Sequence, residues 1–451
     1  MYAGQEQRKN MNDKMIPYLN TQVTEVILSY VDGKCLARCE QVCKLWKDLV
    51  RSLSQRTHIW KTCCVKEISR DVRIDLLNNC YPGWHDLSLR DSEWKIVYKT
   101  WCQWHHVGKW AFITKTLFED TSLRPVTCMK TSGTCVTTGH NNGDVLLWCY
   151  SNYVKVTSHK KCVTDLGVMV YGGECKNYSD QLKHNLVVST SEDHTVHINP
   201  LMFQNEKPYG FPVVIREHFL CVAMVRTFGS MFAVLSHDGR ISIWQLNTPT
   251  YNKKVPEVIK LHTLRISSDL FRAVSIWGSK DIQVSAMTSN GLCIPIFRGG
   301  HSCPYKLLQE EAHFLPSNMW EEIHGRILKI FLWRYGISIV LTDHHYMHIS
   351  VNGCKQRQYN TMPYFNSHPV TILLYGEILL LGMESGTLYM YLLSQITDLL
   401  TLDLGAVYWQ HSLCSDPVIA LDIAETSNGP VIAAATNNKV FCIPFILPQL
   451  R

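Results

Sequence analysis

The feature that most constrains the fold of this chain is a unit that recurs seven times after about residue 107. Each unit has a short apolar strand, a second apolar strand, a tight polar turn and a third strand. The turns fall at Asn142-Gly143, Asp193-His194, Asp238-Gly239, Asn290-Gly291, His344-His345, Ser385-Gly386 and Asn437-Asn438. Successive turns are roughly 40–55 residues apart, which is close to the period of a β-propeller blade with longer loops. The repeat therefore predicts an all-β, seven-bladed propeller over residues 106–451.

The turn residues and the strand composition agree with this prediction. Asn-Gly and Asp-Gly are favoured in two-residue hairpin turns whose central residues both have positive φ, and we expect such turns here. One strand of each unit is almost continuously apolar, as expected for a strand buried between neighbouring blades. Trp148 and Trp244 stand where WD repeats carry tryptophan, whereas most Gly-His and Trp-Asp pairs are missing. The units therefore resemble divergent WD repeats.

The ends of the repeat region predict how the ring closes. The seventh unit stops after its third strand, KVFCIPFIL, so its blade lacks an outer strand. Residues 106–114 precede the first unit, and we expect them to supply that strand and so remove an exposed edge.

The N-terminal part has helical periodicity. A first helix is predicted over residues 19–32, with apolar side chains on one face at Leu19, Val23, Val26, Ile27 and Tyr30. Asn20 or Thr21 caps its start, and Asp32-Gly33 ends it. A second stretch has its apolar face at Leu36, Cys39, Val42, Cys43, Trp46, Leu49 and Val50. Two short helices cannot bury both faces against each other alone, so part of this surface should contact a partner or another domain.

The order of side chains in this region resembles the F-box. The run ILSYVDGKCLARCEQVCKLWKDLV, followed by Ile59-Trp60-Lys61, is similar to the F-box pattern, although Leu19-Asn20 replaces the usual Leu-Pro. The resemblance implies an all-α F-box at residues 16–62 that binds the Skp-type adaptor of a cullin ligase. The implied adaptor-binding positions are Leu19, Val23, Ile27, Leu28, Leu36, Val42, Cys43 and Trp46. The alternative is an amphipathic helical hairpin that packs onto its own C-terminal domain.

Residues 63–105 are predicted to be a helical linker between the two domains. The segment DSEWKIVYKTWCQW has aromatic residues at helical spacing, with Asp91 or Ser92 as its cap. An aromatic-rich helix would hold its neighbours at a fixed spacing. Residues 1–15 are polar, and we expect a flexible N-terminus.

Composition excludes several classes of function. No apolar run reaches the roughly 18 residues of a membrane span, and the polar N-terminus is unlike a signal peptide. The formal charge of +6 is dispersed, which argues against nucleic acid but fits an acidic ligand. We therefore expect a soluble intracellular protein, cytoplasmic or nuclear, without membrane or nucleic-acid partners.

The sequence offers no cofactor or catalytic motif. No phosphate-binding, dinucleotide, zinc-protease or nucleophile-elbow motif is present, so we expect neither catalysis nor a cofactor. The 18 cysteines are irregularly spaced, and we interpret them as reduced thiols. Two sets of side chains have the chemistry of metal ligands: Cys35, Cys39 and Cys43, and His344, His345 and His348. We expect the cysteines to pack in the interior and the histidines to occupy a polar hairpin turn.

The propeller should bind its substrate at the loops that enter the first strand of each blade. Residues in these loops with the chemistry to bind phosphate or carboxylate are Arg124, His218, Arg326 and His368. Asp165, Asp269 and Asp416 alternate with them around the ring and weaken a basic pocket. The alternative is that all of these are ordinary solvated loop charges.

These observations favour the substrate-recognition subunit of an SCF-type ubiquitin ligase. The F-box would bind the Skp-type adaptor and, through it, the cullin, while the propeller binds an acidic or phosphorylated protein. The alternative is a WD-repeat scaffold without ligase coupling.

Overall fold

The computed structural model describes residues 20–81, 89–119, 124–149, 152–170, 185–201, 203–204, 207–208, 212–218, 220–247, 257–264, 271–278, 281–288, 293–300, 303–307, 325–333, 336–351, 355–426 and 428–447. Residues 1–15, expected to be flexible, lie outside these ranges. The chain divides into two compact units. The first contains the chain up to Arg73 together with Ser88–Lys99, and the second contains Ile74–Leu87 together with Thr100–Arg451.

The helices of the N-terminal region are α1 Thr21–Tyr30, α2 Gly33–Val42, α3 Lys44–Thr57, α4 Ile59–Glu67, α5 Arg70–Cys80 and α6 Asp91–Trp104. The predicted cap of the first helix is confirmed at Asn20, whose side chain accepts a hydrogen bond from the Gln22 backbone N–H at 3.1 Å. The second periodic stretch is two helices rather than one, because Cys43 has an extended backbone between α2 and α3. Residues beyond Cys43 therefore lie on a different helix from those before it.

Asp91 joins two helices of the first unit. It is the first residue of α6 rather than its cap. Its buried carboxylate accepts hydrogen bonds from the backbone N–H groups of Trp60 (3.1 Å) and Lys61 (2.9 Å) and from the Ser54 hydroxyl (2.7 Å). The N-cap residue of α4 is His58, and its side chain makes no hydrogen bond to the first turn of that helix. A carboxylate from another helix therefore satisfies the orphan donors of α4.

A second close contact in this unit requires glycine. The backbone N–H of Gly33 donates to Glu67 Oε1 at 2.8 Å, and the Tyr98 hydroxyl donates to the other oxygen of the same carboxylate. A Cβ at position 33 would lie 2.4 Å from the Tyr98 ring. Glycine thus allows the start of α2 to pack directly against α6.

The strands of the second unit are β1 Lys115–Glu119, β2 Val126–Ser132, β3 Cys135–His140, β4 Asp144–Cys149, β5 Asn152–Ser158, β6 Val163–Val170, β7 Asn185–Ser191, β8 Val196–Pro200, β9 Phe203–Gln204, β10 Lys207–Pro208, β11 Val213–Ile215, β12 Val222–Phe228, β13 Met231–Ser236, β14 Ile241–Asn247 and β15 Glu257–Leu264. They continue as β16 Phe271–Gly278, β17 Asp281–Thr288, β18 Cys293–Gly300, β19 Cys303–Leu307, β20 Ile327–Leu332, β21 Ser338–Thr342, β22 Tyr346–Val351, β23 Lys355–Asn360, β24 Pro369–Tyr375, β25 Ile378–Met383, β26 Thr387–Leu392, β27 Trp409–Ser412, β28 Ala420–Thr426, β29 Gly429–Ala435 and β30 Lys439–Pro444. Two short 3₁₀ turns lie at Val107–Lys109 and Ile396–Leu400.

Within the described residues these strands form seven four-stranded antiparallel sheets, which confirms the predicted seven-bladed propeller, and β9 and β10 pair as a separate two-stranded sheet. Blades 1 to 6 begin with β2, β6, β12, β16, β20 and β24, and blade 7 contains β28, β29, β30 and β1. The first strands of most successive blades contact one another, so they are the inner strands. Apolar side chains fill the space between blades. Between blades 7 and 1, for example, Val126, Trp148 and Ala433 pack in one buried cluster.

Ring closure is confirmed, but by a later segment than predicted. β1 pairs with β30, with Lys115 opposite Cys442, and the Lys439 ammonium lies 2.8 Å from the Glu119 carboxylate. The predicted donor, residues 106–114, contributes a single bridge from Phe112 to Phe445. The reason is packing. Val107 and its neighbours pack in a buried apolar cluster with residues of blades 6 and 7. The continuous ladder with β30 therefore begins only after this packed segment.

The hairpin turns differ from the prediction in backbone geometry. Among the described turn residues, positive φ occurs only at the second member of a pair: Gly143, His194, Gly239, His345 and Gly386. The pair at 290–291 lies outside the described residues. Three or four residues join the strands in the described hairpins; at 141–143, for example, the Gly143 N–H donates to the His140 carbonyl. This is a type I turn followed by a left-handed residue, which needs one positive φ rather than two.

The interpretation of all cysteines as reduced thiols is wrong for one pair. Cys135 and Cys149 form a disulfide, with Cα atoms 4.8 Å apart. They face each other across β3 and β4, because their neighbours Val136 and Trp148 are register partners. Two cysteines at opposed positions of adjacent strands are close enough to bond, and spacing along the chain does not reveal this.

Buried carboxylates fix parts of α5 and α6 to the propeller within the second unit. The Trp104 indole N–H and the Tyr375 hydroxyl both donate to Glu425, and burial raises the pKa of Glu425 to about 7. The Trp101 indole N–H donates to Glu377 at 2.8 Å. Asp75 of α5 accepts a hydrogen bond from the backbone N–H of Gly376 at 3.0 Å. Glu377 and Glu425 lie beside the ends of inner strands β24 and β28, so these helix segments cover that face.

Ring closure predicts a specific sensitivity to proline in β1. Thr116→Pro with Phe118→Pro should lower the melting temperature and broaden the transition, because proline cannot donate to the β1–β30 ladder and the ring opens. The matched control is Val154→Pro with Val156→Pro in β5, an outer strand that does not close the ring. Equal losses in the two variants, measured by calorimetry, would contradict this role of β1.

The raised pKa of Glu425 predicts how stability depends on pH. The folded state holds this proton more tightly than the unfolded chain, so the free energy of unfolding should fall as pH rises from about 5 to 8. The contribution of this group is roughly 3 kcal/mol. Glu425→Gln does not titrate and should flatten the dependence in denaturation followed by tryptophan fluorescence. The exposed Glu384→Gln is the control and should leave it unchanged. If the free energy of unfolding of Glu425→Gln depended on pH as in the wild type, Glu425 would not be the titrating group.

Candidate protein-binding surfaces

The first unit exposes an unusual number of large apolar side chains. On α1, residues at spacings of three and four share one face, and Tyr30 is 83% exposed. Further exposed apolar residues flank the break between α2 and α3, where Val42 is 60% exposed. The exposed apolar set is Val23, Val26, Ile27, Tyr30, Val42 and Leu45. Exposed apolar residues at this density mark an interaction surface.

The predicted adaptor-binding residues divide into three groups. Val23, Ile27, Val42 and Cys43 are exposed, and Trp46 is half-buried. Leu28 and Leu36 are 2% and 0% exposed, so they lie in the core of the unit. Leu19 lies outside the described residues. Leu28 and Leu36 pack inside the unit in the isolated chain, and their adaptor contact stays a prediction.

The structure adds three residues to the predicted adaptor surface. Val26 and Tyr30 already stood on the apolar face of the first helix, and their periodicity could have identified them. Leu45 could not be found in this way, because the helix is interrupted at Cys43 and the periodicity of α2 does not continue into α3. Among the described residues, no three His, Cys, Asp or Glu side chains form a group that could hold a metal ion.

The four predicted substrate residues lie on one face of the propeller. Arg124, His218, Arg326 and His368 precede the inner strands β2, β12, β20 and β24, and all inner strands begin at the same face. The side chains of Arg124 and Arg326 are exposed. The structure thus brings the four positions to one face, on blades 1, 3, 5 and 6. We call it the entry face.

His218 is an exception because its ring is turned into its own blade. Its Nδ1 lies 3.2 Å from the Ser236 hydroxyl, and it lines a small cavity of about 100 Å³ with Asp238 and Trp244. Burial lowers the pKa of His218. His218 therefore contacts its own blade, and its role in substrate binding stays a prediction.

His368 lies in a more open part of the entry face. Its ring stacks on His345, with centroids 3.7 Å apart. The loop between β23 and β24 also exposes Met362 and Tyr364. This part of the face combines imidazole rings with apolar side chains, which is typical of surfaces that bind proteins.

The aspartates expected to alternate with the basic residues do not all reach the entry face. Asp165 lies in the inner strand β6, where its carboxylate forms an ion pair with Arg226 of β12. Asp269 lies outside the described residues, and Asp416 is half-buried before β28. Sequence reasoning also missed three exposed basic residues near the starts of inner strands. Lys160 and Lys161 lie just before β6, and Arg216 lies a few residues before β12.

Comparison with known proteins finds a match for part of the first unit. Residues 18–58 match the F-box domain model. Two "F-box/SPRY domain-containing protein 1" sequences, from Drosophila persimilis and Drosophila pseudoobscura pseudoobscura, are each 32% identical over 62 residues. The match covers 14% of this chain and 24% of each relative, so the chain spans about a quarter of their length.

Among solved structures, the WD40 β-propeller domain of Doa1 aligns with 74% of this chain and 97% of its own, at 12% identity and a TM-score of 0.48. Within the described residues, no helix has the length and apolar character needed to span a membrane. The chain therefore combines a region that matches the F-box domain model, residues 18–58, with a seven-bladed β-propeller.

Proposed function

We propose that the chain is the substrate-recognition subunit of an SCF-type ubiquitin ligase. Its F-box domain binds a Skp-type adaptor and thereby a cullin, and its propeller holds a protein substrate in the cytoplasm or nucleus. The observation that carries this proposal is the exposed apolar set within a domain that matches the F-box model. The architecture is typical of non-catalytic receptors, and ubiquitin transfer takes place elsewhere in the complex.

The exposed apolar set supports adaptor binding on energetic grounds. Fully burying an aliphatic side chain contributes about 1.5–3 kcal/mol. Several such side chains on α1 and around the α2–α3 break therefore suffice for a stable complex. The same surface is costly in an isolated protein, because it orders water around apolar groups.

The adaptor proposal predicts a large effect from two polar substitutions. Ile27→Asp with Val42→Asp should weaken binding of a purified Skp-type adaptor by roughly 100-fold or more, because two apolar contacts are lost and two charges are desolvated. Val65→Asp is the matched control, since Val65 is also exposed, at 53%, but lies on α4 outside the exposed apolar set. Biolayer interferometry on variants with unchanged circular dichroism gives the result, and normal affinity in the double variant would reject the proposal.

A WD-repeat scaffold without ligase coupling is the second candidate. Its support is Asn20, which stands where the F-box pattern has proline and caps α1 instead. Affinity purification of the full chain separates the two functions. Recovery of adaptor and cullin supports the ligase subunit, and recovery of neither supports the scaffold.

We further propose that the substrate binds the entry face and is acidic or phosphorylated. Two observations support this choice of face. Exposed Arg124 and Arg326 lie there, and their planar guanidinium groups suit phosphate and carboxylate. Parts of α5 and α6 cover the face at which the inner strands end.

Charge reversal on the entry face tests this proposal. Arg124→Glu with Arg326→Glu should weaken substrate capture by about 2 kcal/mol, or roughly 30-fold, because charge-assisted hydrogen bonds become like-charge contacts. Added salt should weaken capture by the wild type as well. Adaptor affinity should stay unchanged.

Arg298→Glu is the control, because exposed Arg298 lies near the end of the third strand of blade 4, at the opposite face. Capture that survives the double change but is lost in Arg298→Glu would show that the other face binds substrate.

A further inference from the structure

The inner strands of the propeller differ in how their basic side chains are paired. Within the described residues these side chains are Lys130, Arg226, Arg272 and Lys329. Lys130 lies 3.3 Å from the Asp422 carboxylate, and Arg226 forms an ion pair with Asp165. Arg272 and Lys329 form no ion pair with a described residue. The inner strands therefore carry two positive charges without a counter-charge.

The two unpaired side chains lie on neighbouring blades near the entry face. Arg272 is the second residue of β16 in blade 4, Lys329 is the third residue of β20 in blade 5, and both are exposed. The two strands contact each other, and beyond this contact the Ser275 hydroxyl donates to the Trp333 carbonyl at 3.2 Å. Counted back from this bond, Arg272 and Lys329 differ in height by one residue, or about 3 Å. We call them the channel-mouth pair.

A repeated β-bulge directs Arg272 toward blade 5. The register of β16 with β17 shifts at Arg272. The same bulge in blade 1 lies at Thr127, whose hydroxyl donates at 2.6 Å to the carbonyl of Val163, the first residue of the next inner strand. The bulge residue Thr164 of blade 2 bonds the first residue of blade 3 in the same way, also at 2.6 Å. By this geometry Arg272 extends toward the first residues of β20, where Lys329 lies.

The Lys329 ammonium lies in the central channel of the propeller. It is 5.5 Å from the centroid of the Phe331 ring, which lies two residues farther along the same face of β20. Burial lowers the pKa of Lys329, Asp165 raises it and Arg226 lowers it. Asp165 and Arg226 belong to the inner strands of blades 2 and 3, so they act on Lys329 across the channel. A partly desolvated cation without a carboxylate partner is unfavourable, and a bound anion would stabilise it.

Two carboxylates that face this region are engaged elsewhere. Asp165 pairs with Arg226. Asp343, in the β21–β22 turn of blade 5, accepts a hydrogen bond from the backbone N–H of Arg326 at 2.9 Å. Neither carboxylate forms an ion pair with the channel-mouth pair. The positive charge of the pair is therefore available to a ligand that approaches from the entry face.

We propose that the channel-mouth pair binds one acidic group of the protein substrate, a carboxylate or a phosphate. The planar guanidinium of Arg272 suits two oxygens of such a group, and Lys329 supplies a point charge from inside the channel. This contact lies on blades 4 and 5, and it adds a site at the channel to Arg124 and Arg326 on the surrounding loops. The proposal rests on substrate binding at the entry face.

Peptide mixtures that differ at one central residue test the proposal. This residue is glutamate, phosphoserine, glutamine or lysine, and its neighbours are random. The immobilised full chain should retain the glutamate and phosphoserine mixtures about tenfold more than the glutamine mixture, as expected for one charge-assisted hydrogen bond. Lys329→Glu should reverse the preference and favour the lysine mixture, a result that misfolding cannot produce. Lys329→Arg keeps the charge and should keep the wild-type preference.

Two further variants separate the site from general charge effects. Lys115→Glu is the matched control, because Lys115 is exposed on β1, an outer strand, and its change should leave the acidic preference unaltered. Arg272→Gln should lower the preference for both acidic mixtures. An unchanged preference in Arg272→Gln would overturn the two-residue site.

The wild type shows which proposal fails. If it retains all four mixtures equally, binding of acidic substrates at the entry face fails together with the channel-mouth pair. If it prefers the acidic mixtures and Lys329→Glu does so equally, the channel-mouth pair alone is wrong. Inorganic phosphate carries the same chemistry as a free ion. Saturable phosphate binding that is lost in Lys329→Glu, without any peptide preference, would assign the site to the free anion and overturn the proposal.

Discussion

The propeller depends on the pairing of β1 with β30, because this ladder joins the two ends of the ring. Without it, seven sheets would form an open arc with an unpaired strand at one end and an exposed apolar blade face at the other. A second contact reinforces the same junction, since Asp422 of blade 7 binds Thr131 and Lys130 of blade 1. Both contacts join residues from opposite ends of the repeat region, so the blades gain their full burial only when all seven are present.

Buried carboxylates explain why tryptophans precede the propeller. An unpaired carboxylate in an apolar interior is strongly unfavourable. Glu377 and Glu425 are almost wholly buried, and indole N–H groups of Trp101 and Trp104 satisfy them while the rings fill apolar space. Each indole therefore provides packing and a donor at once. These contacts occupy the face where inner strands end, which leaves the entry face for partners.

The sequence predicted the repeats, their number and the F-box because each rests on a pattern along the chain. The strand that closes the ring was predicted several residues too early, since apolar packing around Val107 competes with strand pairing there. The turn geometry was wrong because Asn-Gly fits a three-residue loop as well as a two-residue one. Burial of Leu28, Leu36 and His218, and the bond between Cys135 and Cys149, depend on three-dimensional contacts that periodicity does not contain. Exposure of Leu45 depends likewise on the extended backbone at Cys43.

The two proposed binding surfaces use different physics. The exposed apolar set would bind through removal of apolar area from water, which salt does not screen and which does not require a charge on the partner. The entry face offers guanidinium and imidazole groups on loops, where binding depends on charge and on solution conditions. Attachment to an adaptor would then persist while substrates bind and leave. Such a division suits a receptor whose partner on one side is constant and whose partner on the other must be selected by its charge.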